Sequence, residues 1–122
     1  MILDGGTVNG RPVVPKDYLD TALGKAGSEH NAAYGLLWWL NRPGKATGPS
    51  VATGGEQHTP FEGPIAPHAP QDTVWALGRH QQILAIVPSR GIVAVRLGDK
   101  PTDGSGFDVR IFTQDVLNLT AQ

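Results

Sequence analysis

Residues 83–97 constrain this chain more than any other stretch. Ile83-Leu84-Ala85-Ile86-Val87 and Ile92-Val93-Ala94-Val95-Arg96-Leu97 are apolar, β-branched runs separated only by Pro88-Ser89-Arg90-Gly91. Four residues are too few for a crossover, so the two runs form an antiparallel hairpin. A hairpin alone buries too little to stand in water and needs a further element on its apolar face. The tail supplies one. Phe107, Ile111, Phe112, Val116 and Leu119 recur at helical spacing, which predicts an amphipathic C-terminal helix packed on the sheet.

Upstream of the hairpin the elements follow in a readable order. Met1-Ile-Leu-Asp-Gly-Gly6 reads as the tail of a helix with Gly beyond it, since Gly accepts the left-handed conformation at a helix end. Thr7 to Arg11 turn around Asn9-Gly10, and Val13-Val14-Pro15 leads into a helix over about 15–26. Pro15 suits its first position, Asp17 its dipole and Gly27 its stop. Tyr18, Leu19, Ala22 and Leu23 share one face of that helix. Tyr34 to Leu40 is continuously apolar and reads as a strand buried on both faces. Residues 41–71 then hold Pro at 43, 49, 60, 64, 67 and 70 with five Gly, and no periodicity survives. That is a long loop, a feature uncommon inside compact domains unless it is functional or disordered. Thr73 to Gly78 is a short strand that joins the hairpin. The expected fold is α+β: a mainly antiparallel sheet of three or more strands with a helix at each end, in one unit spanning 1–122.

Several function classes lack what they need. Ten Lys and Arg against eleven Asp and Glu leave a net charge of −1, and no basic patch stands out. Nucleic acid is therefore not an expected partner. There is no Cys, which removes disulfides, thiolate metal sites and Cys nucleophiles. No apolar run approaches the roughly 18–20 residues of a membrane span, and the N-terminus does not read as a signal peptide. Neither a cofactor nor a compartment is indicated.

Residues 74–98 carry a resemblance. Trp75-Ala76-Leu77-Gly78, then Gln81-Gln82, then Val87-Pro88, then Val95-Arg96-Leu97-Gly98 resemble in order the closing sheet of β-lactamase-related serine hydrolases. That superfamily includes class C β-lactamases, penicillin-binding DD-peptidases, family VIII esterases and 6-aminohexanoate-dimer hydrolases. Upstream, Leu3-Asp4-Gly5-Gly6 with Val13-Val14-Pro15 looks like the stretch after the family's helical domain. Tyr34-Gly35 with Trp38-Trp39 looks like the strand entering its last sheet. The resemblance covers most of the chain outside 41–71.

It also implies what is missing. The family's nucleophile is a Ser followed three residues later by Lys, whereas Ser28, Ser50, Ser89 and Ser105 are followed there by Asn31, Thr53, Ile92 and Asp108. The Tyr-x-Asn-like second motif fails as well: Tyr18 precedes Leu19-Asp20, and Tyr34 precedes Gly35-Leu36. Both motifs are expected upstream of Met1, so the chain corresponds to a C-terminal portion that is inactive by itself. The third motif falls on Ala76-Leu77-Gly78, having lost its cationic and hydroxyl positions, which weakens a β-lactamase reading in favour of an esterase-like one. The resemblance implies that the backbone N–H of Arg79 is one of the two oxyanion donors that acyl transfer needs. Gly78 would let substrate approach the strand. The expected partners are the missing N-terminal part or a second copy, with a small ester or amide as substrate of the complete enzyme.

Other residues carry less. His80 reads as a solvated turn residue. His58 and His68, with Glu56, Glu62 and Asp72 nearby, have donor chemistry for zinc but a spacing without helical or strand logic, so no metal is expected. Trp38, Trp39 and Trp75 read as core. The rival to the hydrolase reading is a non-catalytic β-rich module that binds a partner through a sheet edge.

Overall fold

The computed structural model describes residues 1–48, 60–99 and 108–121. In chain order it has β1 (Thr7–Val8), β2 (Arg11–Pro12), α1 (Lys16–Asp20) continued by one π turn (Thr21–Lys25), β3 (Tyr34–Gly35) and β4 (Trp38–Leu40). After these come β5 (Gly44–Ala46), β6 (Phe61–Gly63), β7 (Val74–Gly78), β8 (Gln82–Val87), β9 (Ile92–Arg96) and α2 (Val109–Leu119). β3-β4-β7-β8-β9 form a five-stranded sheet, antiparallel throughout, and β1-β2 and β5-β6 are separate two-stranded ribbons. The architecture is α+β.

The expected hairpin is β8–β9. Val87 pairs with Ile92 around a 3-10 turn whose left-handed closing residue, φ 64°, is Gly91. Asp72 fixes that turn: its carboxylate accepts the Ser89 N–H at 2.6 Å and the Ser89 hydroxyl at 2.9 Å. Strand alternation then divides the sheet into two faces. Trp39, Trp75, Leu77, Ile83, Ala85, Val87, Ile92 and Ala94 share the face that carries α2. Leu40, Val74, Leu84 and Ile86 share the other, where Ile2 and Leu23 cover part of it. Among the described residues the cover stops there. By register Val93 lies beside Ile86, and Val95 beside Leu84 and Ala76, yet Val93 is 52% and Val95 57% exposed.

The two-faced sheet locates the helices. Leu19 and Ala22 are buried and Tyr18 is exposed. α2 sits partly rotated from its expected face: Val109, Thr113 and Leu117 are buried, Phe112 packs half-buried against the same core and Val116 is half-buried, while Ile111 and Leu119 are exposed and Phe107 lies outside the described residues. The reason is polar. Thr113 Oγ1 accepts the fully buried Trp75 Nε1–H at 3.0 Å and donates to the Val109 carbonyl at 2.7 Å, so a threonine centres the buried stripe. Asp108 caps the helix through the Arg110 N–H at 2.7 Å. Burial works against the charged carboxylate, but hydrogen bonds from Arg110 outweigh it and hold the group below the usual carboxylate range. A lowered native value means stability present above the unfolded carboxylate pKa and lost as pH falls through the native one. Asp108→Ala is expected to cost about 1 kcal/mol at neutral pH. It should also flatten the melting temperature's dependence on pH below about 4. Thermal melts across an acid series check both.

Three expectations change. The opening residues form consecutive turns rather than helix, but their hydrogen bonds are those of a helix C-terminus: Gly6 N–H to Met1 O at 3.0 Å and Gly5 N–H to Ile2 O at 3.2 Å, with Gly5 at φ 60°. Residues 41–71, expected as one loop, contain β5 and β6, and the buried Asn41 side chain ties the 66–70 backbone down. Tyr34–Leu40 is not one doubly buried strand. It folds as a hairpin, with Tyr34 opposite Trp39 (ring centroids 4.6 Å apart) and Leu36-Leu37 as its two-residue turn. Both leucines have positive φ, 43° and 71°. Asn9-Gly10 makes the equivalent turn between β1 and β2 with φ of 50° and 75°. Asn-Gly is the preferred pair for such turns, whereas a leucine in this region costs about 1–2 kcal/mol.

Candidate functional site

The candidate site is the C-terminal half of β7. Asn41 donates its backbone N–H to the Thr73 carbonyl at 3.1 Å, and Trp39 pairs with Trp75. Peptide groups of a strand alternate sides, so residues 73, 75 and 77 aim theirs towards β4 and residues 74, 76 and 78 aim theirs towards β8. The β4 ladder ends at Trp75. From Leu77 onward this side of β7 is an open edge among the described residues. Gly78 pairs with Gln82 on the β8 side and is extended, at φ −102° and ψ 169°. Because C=O and N–H of one trans peptide point in opposite directions, a Gly78 carbonyl turned to β8 turns the Arg79 N–H to the open edge.

Gly78 is a glycine the fold does not require. Its φ is open to any residue, and an added Cβ would meet only Gln82 Cβ at 3.4 Å and Gln82 O at 3.8 Å. Gly35 is different: a Cβ there would lie 2.3 Å from the Ala26 carbonyl oxygen. Ala76 and Leu77 are half-buried, Ala76 on the partly covered face and Leu77 on the α2 face. With Gly78, Gln82, Ile83, Leu84, Val95 and Leu97 they line an apolar depression of about 280 Å3 at this end of the sheet.

The turn after Gly78 is held in an unusual shape. His80 and Gln81 both have positive φ, 59° and 63°. Arg96 at the end of β9 donates from Nη1 to the Gln81 carbonyl (2.8 Å) and from Nη2 to the Asp99 carbonyl (2.9 Å). His80 Nδ1 lies 3.1 Å from an Asp99 carboxylate oxygen. His80 is thus half-exposed, as expected of a turn residue, but it also belongs to a latch that fixes the 79–81 backbone. Neither the Arg96 latch nor the Leu36-Leu37 turn was read from sequence. The available signal for the first was one arginine closing an otherwise apolar strand.

The remaining sequence candidates scatter. Ser89 is engaged by Asp72, and Ser28 Oγ accepts the Asn31 N–H at 3.1 Å. Ser50 and Ser105, like Glu56 and His58, lie outside the described residues. His68 and Glu62 are exposed, and no three His, Asp or Glu side chains gather into a metal-binding group among the described residues. Trp75 is fully buried, while Trp38 and Trp39 are half-buried against opposite clusters. No described helix is long and apolar enough to cross a membrane. No protein-family model, curated protein or solved structure matches the chain.

Proposed function

We propose that this chain is the C-terminal part of a serine hydrolase of the β-lactamase-related type, providing the oxyanion strand of a site that cleaves small esters or amides. The nucleophilic serine and its base belong to a segment encoded upstream of Met1. In that reaction the serine oxygen bonds to the carbonyl carbon, and the carbonyl electron pair moves onto oxygen. That oxyanion collapses to expel the protonated leaving group, and water releases the acyl group. The Arg79 N–H donates to the oxyanion. The observation that carries this reading is a strand edge, open among the described residues, with its donor N–H on the residue after a glycine the fold does not need. Two others support it: the helix-terminating hydrogen bonds of Met1–Gly6, which suit a preceding helix, and the uncovered apolar rungs at Val93 and Val95, which suit a missing neighbour.

The test separates backbone from side chain. Arg79 opens a 3-10 turn after an extended Gly78, a position that suits proline, and relative to alanine proline removes the N–H. In the chain co-expressed with the upstream segment, Arg79→Ala should hydrolyse p-nitrophenyl esters nearly as well as wild type. Arg79→Pro should lose about 100- to 1,000-fold in kcat at an unchanged melting temperature. Equal activity of the two variants would remove Arg79 from the reaction.

A further inference from the structure

The chain builds the same two-residue turn twice with very different residues, and the second leads into the strand whose ladder to β7 stops at Trp75. Asn9-Gly10 and Leu36-Leu37 adopt nearly the same left-handed angles, but only the first pair is suited to them. The leucines gain little in return. Leu36 is 48% and Leu37 82% exposed, and neither packs in either apolar cluster. The turn is fixed in place all the same: Gly35 closes on the Ala26 carbonyl, and Tyr34 lies against Trp39. The turn leads directly into β4, two residues before Trp39, so it lies at the end of β4 where the ladder to β7 stops at the Trp39–Trp75 pair. Strained residues retained against local preference concentrate at functional positions.

We propose that Leu36 and Leu37 are specificity-determining residues that contact the hydrophobic acyl group of an ester substrate held along the open edge of β7. The proposal deepens the hydrolase reading and rests on it. The leucines form the apolar lip of the site, and the Arg79 N–H forms its polar end. An aliphatic acyl chain would reach from the polar end towards the lip, and an acetyl group offers the leucines little to contact.

The experiment uses the double variant Leu36→Asn with Leu37→Gly. In the 122-residue chain this variant should melt at a higher temperature than wild type, because the turn then has its preferred residues. A lower melting temperature would mean the leucines serve the fold, and would overturn the proposal whatever the enzyme does. In the pair reassembled with the upstream segment, kcat/KM for p-nitrophenyl octanoate should fall about 10-fold or more, with the acetate ester little changed. Equal losses on both esters would overturn the lip and leave the hydrolase reading standing. A wild-type pair that cleaves neither ester would overturn the hydrolase reading itself, and the lip with it.

Discussion

Trp75→Ala should remove much of the chain's stability against urea. Trp75 is wholly buried at the centre of the α2-facing core, and its indole N–H is the polar tie between sheet and helix. Truncating a buried aromatic of this size costs about 3–5 kcal/mol. A domain holds about 5–15 kcal/mol in total, so this one truncation takes a large share of it. Trp75→Phe separates the two contributions: it keeps most of the ring, loses the bond to Thr113, and should cost about 1 kcal/mol beyond the change in packing. Urea titrations followed by far-UV circular dichroism give both numbers. A loss under 1 kcal/mol for the alanine variant would mean that α2 is not held on the sheet through Trp75.

Asn41→Ala is expected to be nearly as damaging, although asparagine is a polar residue beside a proline-rich segment. The side chain is 1% exposed. Its amide donates to the carbonyls of Ala66 (2.9 Å), Pro70 (3.1 Å) and Ala69 (3.3 Å), and its oxygen accepts the Ala66 N–H (2.9 Å). Each buried backbone group left without a partner costs about 1–3 kcal/mol. Asn41→Asp should be worse than alanine, because a carboxylate would face three carbonyl oxygens with no hydrogen to offer. Chemical denaturation of both variants at neutral pH gives the order. Aspartate tolerated better than alanine would show that the site is open to water.

The sheet was legible in the sequence because its signal is local and repetitive. Ile83–Val87 and Ile92–Leu97 are apolar, rich in β-branched residues, and flank a turn whose Gly91 needs a left-handed φ, so their pairing follows from short-range rules. The rest depends on partners distant in sequence. Nothing around Asn41 announces that it faces Ala66 to Pro70, so 41–71 read as unbroken loop. Thr113 is polar, and only its bond to Trp75, 38 residues away, turns that side of α2 inward in place of Ile111 and Leu119. Leu36-Leu37 breaks the turn rule outright, and a continuous apolar run hides such a break. At the candidate site, the resemblance of residues 74–98 marked Gly78-Arg79. The open edge and the Arg96 latch depend on where β4 ends and where β9 returns.

The most direct test of the central claim, an oxyanion strand without its own nucleophile, is intact-mass analysis after reaction with a fluorophosphonate or penicillin probe. The chain would be labelled alone and when co-expressed with the proposed nucleophile-bearing segment. No adduct is expected on the chain in either sample, and one stoichiometric adduct is expected on the proposed segment of the pair. An adduct on Ser28, Ser50, Ser89 or Ser105, or none on either member of the pair, would contradict it.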